Sequence, residues 1–277
     1  MKIAFVGKGG SGKSSTSWLA IKTIEDMGVP VLAVDADHNM DLTSNLGLDP
    51  EKTPLMHKTD KEFMEVVGLV DGERMVNLVQ QENNLPSFKL TPMDAYTDSI
   101  VTKVSKNLSL INIGLGSPDI LFQTKCAHAL SGPLKFYLGM LDEGNGHVVI
   151  DSVAGSDMLN YGLYAGVDAV VGVVEPHRNS VKVFEQIYDI CRKTMIPCFA
   201  VINKPAQNEF YAHMQEKYKN VIIGEIPLDV GILSYNFNEV SEDTKQKARK
   251  IIESISNFKK RGSLSSIKDF QEIKGNL

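Results

Sequence analysis

The sequence has little cysteine, no excess of positive charge and no long apolar run. Three of its 277 residues are cysteine (Cys126, Cys191 and Cys198), which is too few and too odd a number for a disulfide framework. The net charge of −5 provides no general basic surface, and no apolar run approaches the ~20 residues that span a membrane. The chain also starts with a strand-like run and no secretion signal. We therefore expect a cytoplasmic protein with reduced thiols, no membrane anchor and no nucleic-acid partner.

Apolar residues are plentiful by contrast, and their pattern indicates the fold class. They make up 43% of the chain, enough for the core of one large domain. Short β-branched runs alternate with segments that favour helix, which predicts an α/β fold with a mostly parallel central sheet flanked by helices. The runs are almost continuously apolar, as in strands covered on both faces. The predicted strands are residues 3–6, 31–34, 108–113, 148–150, 169–174, 199–202 and 221–223.

The first predicted strand leads into a glycine-rich segment with the full pattern of a P-loop, GKGGSGKS at residues 7–14. Its glycines allow successive backbone N–H groups to turn towards a phosphate chain. Lys13 is expected to reach the terminal phosphates, and the Ser14 hydroxyl can bind Mg²⁺. The helix that begins near Ser14 directs its positive end at the same anion. The predicted nucleotide-binding residues of this loop are Gly9, Gly10, Ser11, Gly12, Lys13, Ser14 and Ser15.

Acidic residues follow two other predicted strands, at the edge of the sheet where the P-loop lies. Asp35 and Asp37 follow the second strand, whereas Asp151 and Gly155 follow the fourth. A carboxylate at this edge can position a water for attack on the γ-phosphate or hold Mg²⁺ through its hydration shell. We assign the first role to Asp37, a Mg²⁺-water contact to Asp151 and an amide contact with the γ-phosphate to Gly155. For Asp35, capping of backbone N–H groups is an equally good interpretation.

Two later strands end where the base of a nucleotide would lie. Asn203 and Lys204 end the strand at residues 199–202, and Pro227 follows the next strand. A side-chain amide offers both a donor and an acceptor to the edge of a purine. A simple turn residue is an equally good interpretation of Asn203.

Three segments together resemble the deviant-Walker-A ATPases, which include the MinD/ParA group and the nitrogenase iron protein. The segments are Lys8 in the P-loop, Asp-Ala-Asp-His-Asn at residues 35–39 and Asp-Ser-Val-Ala-Gly at residues 151–155. The resemblance covers about residues 1–45 and 108–235. It implies a P-loop NTPase fold and an ATPase that uses Mg²⁺ and hydrolyses ATP to ADP and phosphate.

The resemblance also implies roles for individual residues. Lys8 matches the lysine that reaches across an ATP-bound homodimer to the phosphates of the partner. Asp37 matches the catalytic aspartate, and Asp41 matches an acid of the switch I segment that is linked to Mg²⁺. Asn203 matches the asparagine beside the adenine.

Cys126 and His128 are separated by one residue and have two interpretations. One such pair cannot complete a four-coordinate metal site, but a two-fold dimer would supply two thiolates and two imidazoles, which suit Zn²⁺ or Ni²⁺. Alternatively, Cys126 packs as a small apolar residue and His128 faces solvent. The pair falls where the CooC-type ATPases of carbon monoxide dehydrogenase maturation have Cys-x-Cys. That resemblance implies nickel insertion into a client metalloenzyme.

A second function stays open, that of a MinD/ParA-like positioning or partitioning switch. Apolar residues at positions 267, 270 and 273 recur at helical spacing, as in a membrane-targeting helix. The charges around them nearly balance, however, which gives little attraction to anionic lipid.

The expected domain organisation is one P-loop ATPase domain over residues 1–260, followed by a polar C-terminal tail at residues 261–277. A variable insertion at about residues 50–107 is expected on the ligand side, with a short helix at residues 62–69. A further helix is predicted at residues 241–259. Cys191 and Cys198 lie in apolar surroundings and are expected in the core.

Overall fold

The computed structural model of the protein describes residues 1–37, 39–69, 86–114, 132–155, 166–258 and 260. The strands of this part of the chain are short and mostly buried. They are β1 (Lys2–Val6), β2 (Val31–Ala36), β3 (Phe88–Lys89), β4 (Val101–Lys103), β5 (Leu108–Asn112), β6 (Leu141–Asp142), β7 (His147–Ser152), β8 (Ala169–Val174), β9 (Cys198–Asn203) and β10 (Ile222–Ile226).

Helices connect most of the strands, and polar side chains cap several of them. Ser241, for example, accepts a hydrogen bond from the backbone N–H of Thr244 and so begins the last helix. The α-helices are α1 (Lys13–Asp26), α2 (Asp41–Asn45), α3 (Asp60–Val66), α4 (Ala95–Ile100), α5 (Gly132–Met140), α6 (Arg178–Lys193), α7 (Glu209–Lys217), α8 (Val230–Leu233) and α9 (Glu242–Ser256). Short 3₁₀ helices occur at Pro50–Lys52, Met56–Thr59 and Phe237–Glu239.

Eight strands form one sheet in the order β10, β9, β8, β1, β7, β2, β5 and β4. All neighbours in this sheet are parallel except β4, which runs antiparallel to β5. Strands β3 and β6 form a separate parallel pair. The predicted α/β fold with a mostly parallel central sheet is therefore confirmed. Because β1 lies in the middle of the sheet, the P-loop that follows it leaves from the centre of the carboxyl edge.

Each face of the sheet has its own hydrophobic core. Ile3 and Phe5 of β1 pack with the buried Trp18 on the face covered by α1 and α9, whereas Ala4 and Val6 pack on the opposite face. Every residue of β1, β2, β5, β8 and β9 is buried, as the continuous apolar runs indicate.

The two cysteines predicted to lie in the core, Cys191 and Cys198, are both buried. The seven predicted strands correspond to β1, β2, β5, β7, β8, β9 and β10. The helix expected at residues 62–69 overlaps α3, and the one expected at residues 241–259 contains α9.

Residues 50–107 contribute more regular structure than the sequence predicts, including β4 at one edge of the sheet. Their expected position on the ligand side holds for Leu55, which forms a β-bridge with Asn112 at the carboxyl end of β5. It is wrong for Leu90. A Cβ placed on Gly146 would lie 3.1 Å from Cδ2 of Leu90, so Leu90 packs near the start of β7, at the amino edge of the sheet. Apolar packing against the sheet holds this segment there.

Among the helices of the described residues, none combines the length and apolar character needed to cross a membrane.

Candidate functional site

The conformation of the loop between β1 and α1 depends on its glycines. Gly10 and Gly12 have left-handed φ angles of 83° and 85°, which L side chains rarely adopt. A Cβ on Gly7 would lie 2.6 Å from the carbonyl oxygen of Val173. Among the described residues, no side chain caps the helix that starts at Lys13, so the N–H groups of its first turn are available to an anion.

Asn203, at the end of β9, holds this loop from the side. Its Nδ2 donates a hydrogen bond to the carbonyl oxygen of Ser11 at 2.9 Å, and its side chain is buried. A Cβ on Gly12 would collide with the same amide nitrogen. Asn203 therefore supports the P-loop directly, while its Oδ1 and second N–H are still able to contact a base.

The two lysines of the loop have different environments. Lys13 is 7% exposed and lies within the loop, whereas Lys8 donates from Nζ to the carbonyl oxygen of Gly9 at 3.0 Å in an exposed hydrogen bond. Within the described part of the chain this carbonyl is the hydrogen-bond partner of Lys8, and an exposed lysine can exchange such a contact for a stronger one with phosphate at low cost.

Asp151 is the last residue but one of β7, lies beside the first turns of α1 and is fully buried. The Ser17 hydroxyl donates to its Oδ1 at 3.2 Å, but its Oδ2 has no hydrogen-bond partner within the described part of the chain. Burial raises the pKa of Asp151 to about 7, although the Ser14 hydroxyl and the Lys13 ammonium oppose this shift. A buried carboxylate oxygen without a partner, next to the Ser14 hydroxyl, is a donor set that fits Mg²⁺.

Asp35 lies on β2 and fixes the start of α2. Its Oδ2 accepts hydrogen bonds from the backbone N–H of Thr43 at 2.8 Å and from the Thr43 hydroxyl at 2.7 Å. Burial nevertheless raises the pKa of Asp35 to about 6. These contacts favour the capping interpretation of Asp35. Asp37 is half-buried and accepts a hydrogen bond from the N–H of Asn39, and Asp41 is exposed in the first turn of α2.

Asn112 extends this polar network and was missed by the sequence analysis. Its Nδ2 donates to the hydroxyls of Thr43 and Thr53, both at 3.2 Å, and its Oδ1 accepts from the N–H of Gly114. The sequence did contain a signal for Asn112, since it is a polar residue at the end of a strand, like Asp35 and Asp151. Nothing in the sequence, by contrast, distinguishes Ser17 from other small residues of α1.

Gly155 lies against the P-loop, but its amide is already used. The Gly155 N–H donates to the carbonyl oxygen of Gly7 at 2.8 Å. Contact between this amide and a γ-phosphate would require that hydrogen bond to break.

A small open pocket lies next to the P-loop at the ends of β9 and β10. Leu228 and Leu233 line it and are themselves 67% and 63% exposed, so they offer an apolar surface to a flat base. The Nζ of Lys204 is paired with Glu175 at 2.6 Å. The lining includes Ser15, Asn203, Lys204, Pro227, Leu228 and Leu233.

Cys126 and His128 lie outside the described residues, as does His38. Within the ranges that the structure describes, no group of three or more histidine, cysteine or acidic side chains is arranged to hold a metal ion.

Comparisons with known proteins give similarity to nucleotide-binding proteins. The family model of the CobQ/CobB/MinD/ParA nucleotide binding domain matches residues 3–261. An uncharacterized ATP-binding protein of Methanocaldococcus jannaschii is 28% identical over 254 residues, which cover 87% of this chain and 96% of that protein. The carbon monoxide dehydrogenase accessory protein CooC of Rhodospirillum rubrum is 24% identical over 244 residues, or 84% of this chain and 85% of CooC.

Solved structures show the same fold. The septum site-determining protein MinD of Pyrococcus horikoshii, complexed with Mg-ADP, has a TM-score of 0.64 at 16% identity and covers 92% of this chain and 96% of its own. A plasmid partition protein of Borrelia burgdorferi bound to AMPPNP has a TM-score of 0.60 at 22% identity. The match covers 91% of this chain and 96% of that protein.

Proposed function

Since the chain belongs to the CobQ/CobB/MinD/ParA nucleotide-binding domain family and is an ATPase of that family, we propose that it dimerises around ATP and serves in the maturation of a metalloenzyme. The observation that supports the ATP chemistry most directly is the meeting of the P-loop, Asp37 and Asp151 at the carboxyl edge of one parallel sheet.

In the proposed reaction, the amides of residues 9–15 and the Lys13 ammonium bind the phosphates and stabilise the charge that develops on the γ-phosphate. Asp37 orients the attacking water. Ser14, Asp151 and, through water, Asp37 and Asp41 would hold Mg²⁺, which supplies charge neutralisation between the phosphates when it is bound. On the base side, Asn203, Lys204 and Pro227 surround the adenine, with the apolar Leu228 beside it.

Dimerisation is proposed to depend on Lys8. Its ammonium is held by one exposed hydrogen bond to its neighbour Gly9, which leaves it able to reach a phosphate bound to a second copy. Closing two copies over ATP excludes water and strengthens each charge–phosphate contact. Hydrolysis removes the γ-phosphate and with it the contact that holds the dimer together.

The maturation role is supported by similarity to CooC along 84% of the chain and by the Cys126-x-His128 element. Two copies would bring two thiolates and two imidazoles together, a set that suits Ni²⁺ or Zn²⁺. Metal binding and release would then follow the ATP-dependent opening and closing of the dimer.

The test is an anaerobic titration with Ni²⁺ and with Zn²⁺, with and without Mg-ATP, followed by the native mass of the complex. We expect one ion per ATP-bound dimer in the wild type and none in a Cys126→Ala/His128→Ala variant. His213→Ala, which changes a surface histidine of α7, is the control and should bind metal normally. Metal binding that is the same in the double variant and the wild type would contradict the maturation role and leave the ATPase assignment intact.

The alternative, a positioning or partitioning ATPase, predicts a different partner. Co-sedimentation with anionic lipid vesicles, or a shift of duplex DNA, that requires ATP and is unaffected by the Cys126→Ala/His128→Ala change would favour that function.

A further inference from the structure

Tyr235 lies just beyond α8 and has an unusual backbone. Its φ of +51° is left-handed, which is uncommon for a bulky L residue. Strained residues of this kind occur preferentially at ligand sites and switch segments.

Two contacts fix the Tyr235 side chain. Its ring meets Trp18, the only tryptophan of the chain, edge to face with centroids 5.4 Å apart and an angle of 85°. Its hydroxyl lies 3.0 Å from the Oγ of Ser15. The buried Trp18 thus sets the position of the ring, and the ring in turn directs the hydroxyl at the first turn of α1.

Ser15 occupies the junction between the phosphate loop and the base-side pocket. It follows Ser14 in α1 and lines the pocket together with Asn203 and Leu228. A serine hydroxyl has one proton to donate and two lone pairs that accept. When Tyr235 donates its proton to Ser15 Oγ, the Ser15 proton is directed elsewhere, and an anion at the helix N-terminus is its natural acceptor.

We propose that Tyr235 is a positioning residue that orients the Ser15 hydroxyl as a donor to a phosphate oxygen of the bound nucleotide. The inference rests on the proposed nucleotide site. It also connects the two halves of that site, because Tyr235 belongs to the same segment as Leu228 and Leu233, which line the base side.

Tyr235→Phe is the informative variant, since it keeps the ring contact with Trp18 and removes only the hydroxyl. By calorimetry, we expect it to weaken Mg-ADP binding about three- to tenfold, the range for one lost hydrogen bond. Binding of adenosine, which has no phosphate, should be unchanged. Ser15→Ala should weaken Mg-ADP at least as much, and the double variant should be no weaker than Ser15→Ala alone.

The matched control is Tyr211→Phe, which removes a hydroxyl of α7 that donates to Glu225 at 2.8 Å in a part-buried hydrogen bond. It should bind both ligands as the wild type does. The proposal is overturned if Tyr235→Phe binds Mg-ADP with wild-type affinity, if it loses affinity for adenosine equally, or if its effect adds to that of Ser15→Ala. A wild type that fails to bind Mg-ADP would overturn the proposed function together with this inference.

Discussion

Asp35 and Asp151 lie directly opposite each other on the neighbouring parallel strands β2 and β7, and both residues are completely buried. Burial raises the pKa of Asp35 to about 6 and that of Asp151 to about 7, and the charge of Asp35 adds to the shift of Asp151. Two adjacent buried carboxylates oppose each other's ionisation. At neutral pH the fold therefore keeps a destabilising concentration of negative charge beside the P-loop, which a bound cation would offset.

The first prediction concerns this destabilisation. Asp151→Asn keeps the oxygen that accepts from Ser17 but removes the charge, so it should raise the free energy of unfolding of the nucleotide-free protein at pH 8 by ~1–3 kcal/mol. Because the pKa of Asp151 is higher in the folded state, stability falls as pH rises from about 4 to about 7, and the gain of the variant is complete above that window. ATP hydrolysis should fall about a hundredfold or more. Urea unfolding measures the first effect. Asp189→Asn, at an exposed site of α6, is the control. An Asp151→Asn protein that is less stable than the wild type at pH 8 would contradict the prediction.

The second prediction compares two glycines with similar backbone angles. Gly12 and Gly28 have φ angles of 85° and 73°. A Cβ on Gly12 would collide with the side chain of Asn203, whereas one on Gly28 would meet no atom of the described residues within 4 Å. Gly12→Ala should abolish ATP binding, because either the loop or Asn203 must move. Gly28→Ala should cost ~1 kcal/mol of stability and leave ATP affinity unchanged. Calorimetry and thermal unfolding distinguish the two. Normal ATP binding by Gly12→Ala would show that the contact between Asn203 and the loop is dispensable.

The third prediction concerns dimerisation. Lys8→Ala removes an ammonium whose hydrogen bond is exposed, so the monomer should keep its thermal stability while ATP-dependent dimerisation is lost. Sedimentation velocity with a non-hydrolysable ATP analogue measures this directly. Lys61→Ala, at an exposed site of α3, should dimerise as the wild type does. Dimers of unchanged stability in Lys8→Ala would exclude the proposed contact across the interface.

The fold could be predicted to the extent that strands are buried on both faces. Such strands are recognisable from short apolar runs. All seven predicted strands are present, and six of them are almost wholly buried, whereas β10 is a mostly half-buried edge strand. The edge strand β4 was missed because it is three residues long and only its first residue is buried. Its formation depends on pairing with β5, a long-range contact that local patterns do not contain.

The positions of the candidate site residues were predictable where one residue type at one strand end suffices. Asp35, Asp37 and Asp151 are recognisable from their position after apolar runs. Roles that depend on tertiary contacts could not be predicted from the sequence. Asn203 proved to support the P-loop through Ser11. The contact of Tyr235 with α1 joins segments 220 residues apart, and no local sequence signal marks it.

The fourth prediction lies away from the nucleotide and concerns acid stability. His147 begins β7, and its Nδ1 is buried with no hydrogen-bond partner among the described residues. Burial lowers the pKa of His147 to about 4, and the nearby Lys260 ammonium contributes to the shift. Because this pKa lies below the unfolded value of 6.5, the unfolded chain binds more protons between pH 6.5 and about 4, and stability falls as pH falls through that window. His147→Gln should remove this dependence, which amounts to at most about 3 kcal/mol, in urea unfolding at several pH values. His213→Gln, at a surface histidine, should retain the wild-type profile. An equally steep loss of stability in His147→Gln would mean that other groups cause the acid sensitivity, since the variant has no imidazole to protonate at that position.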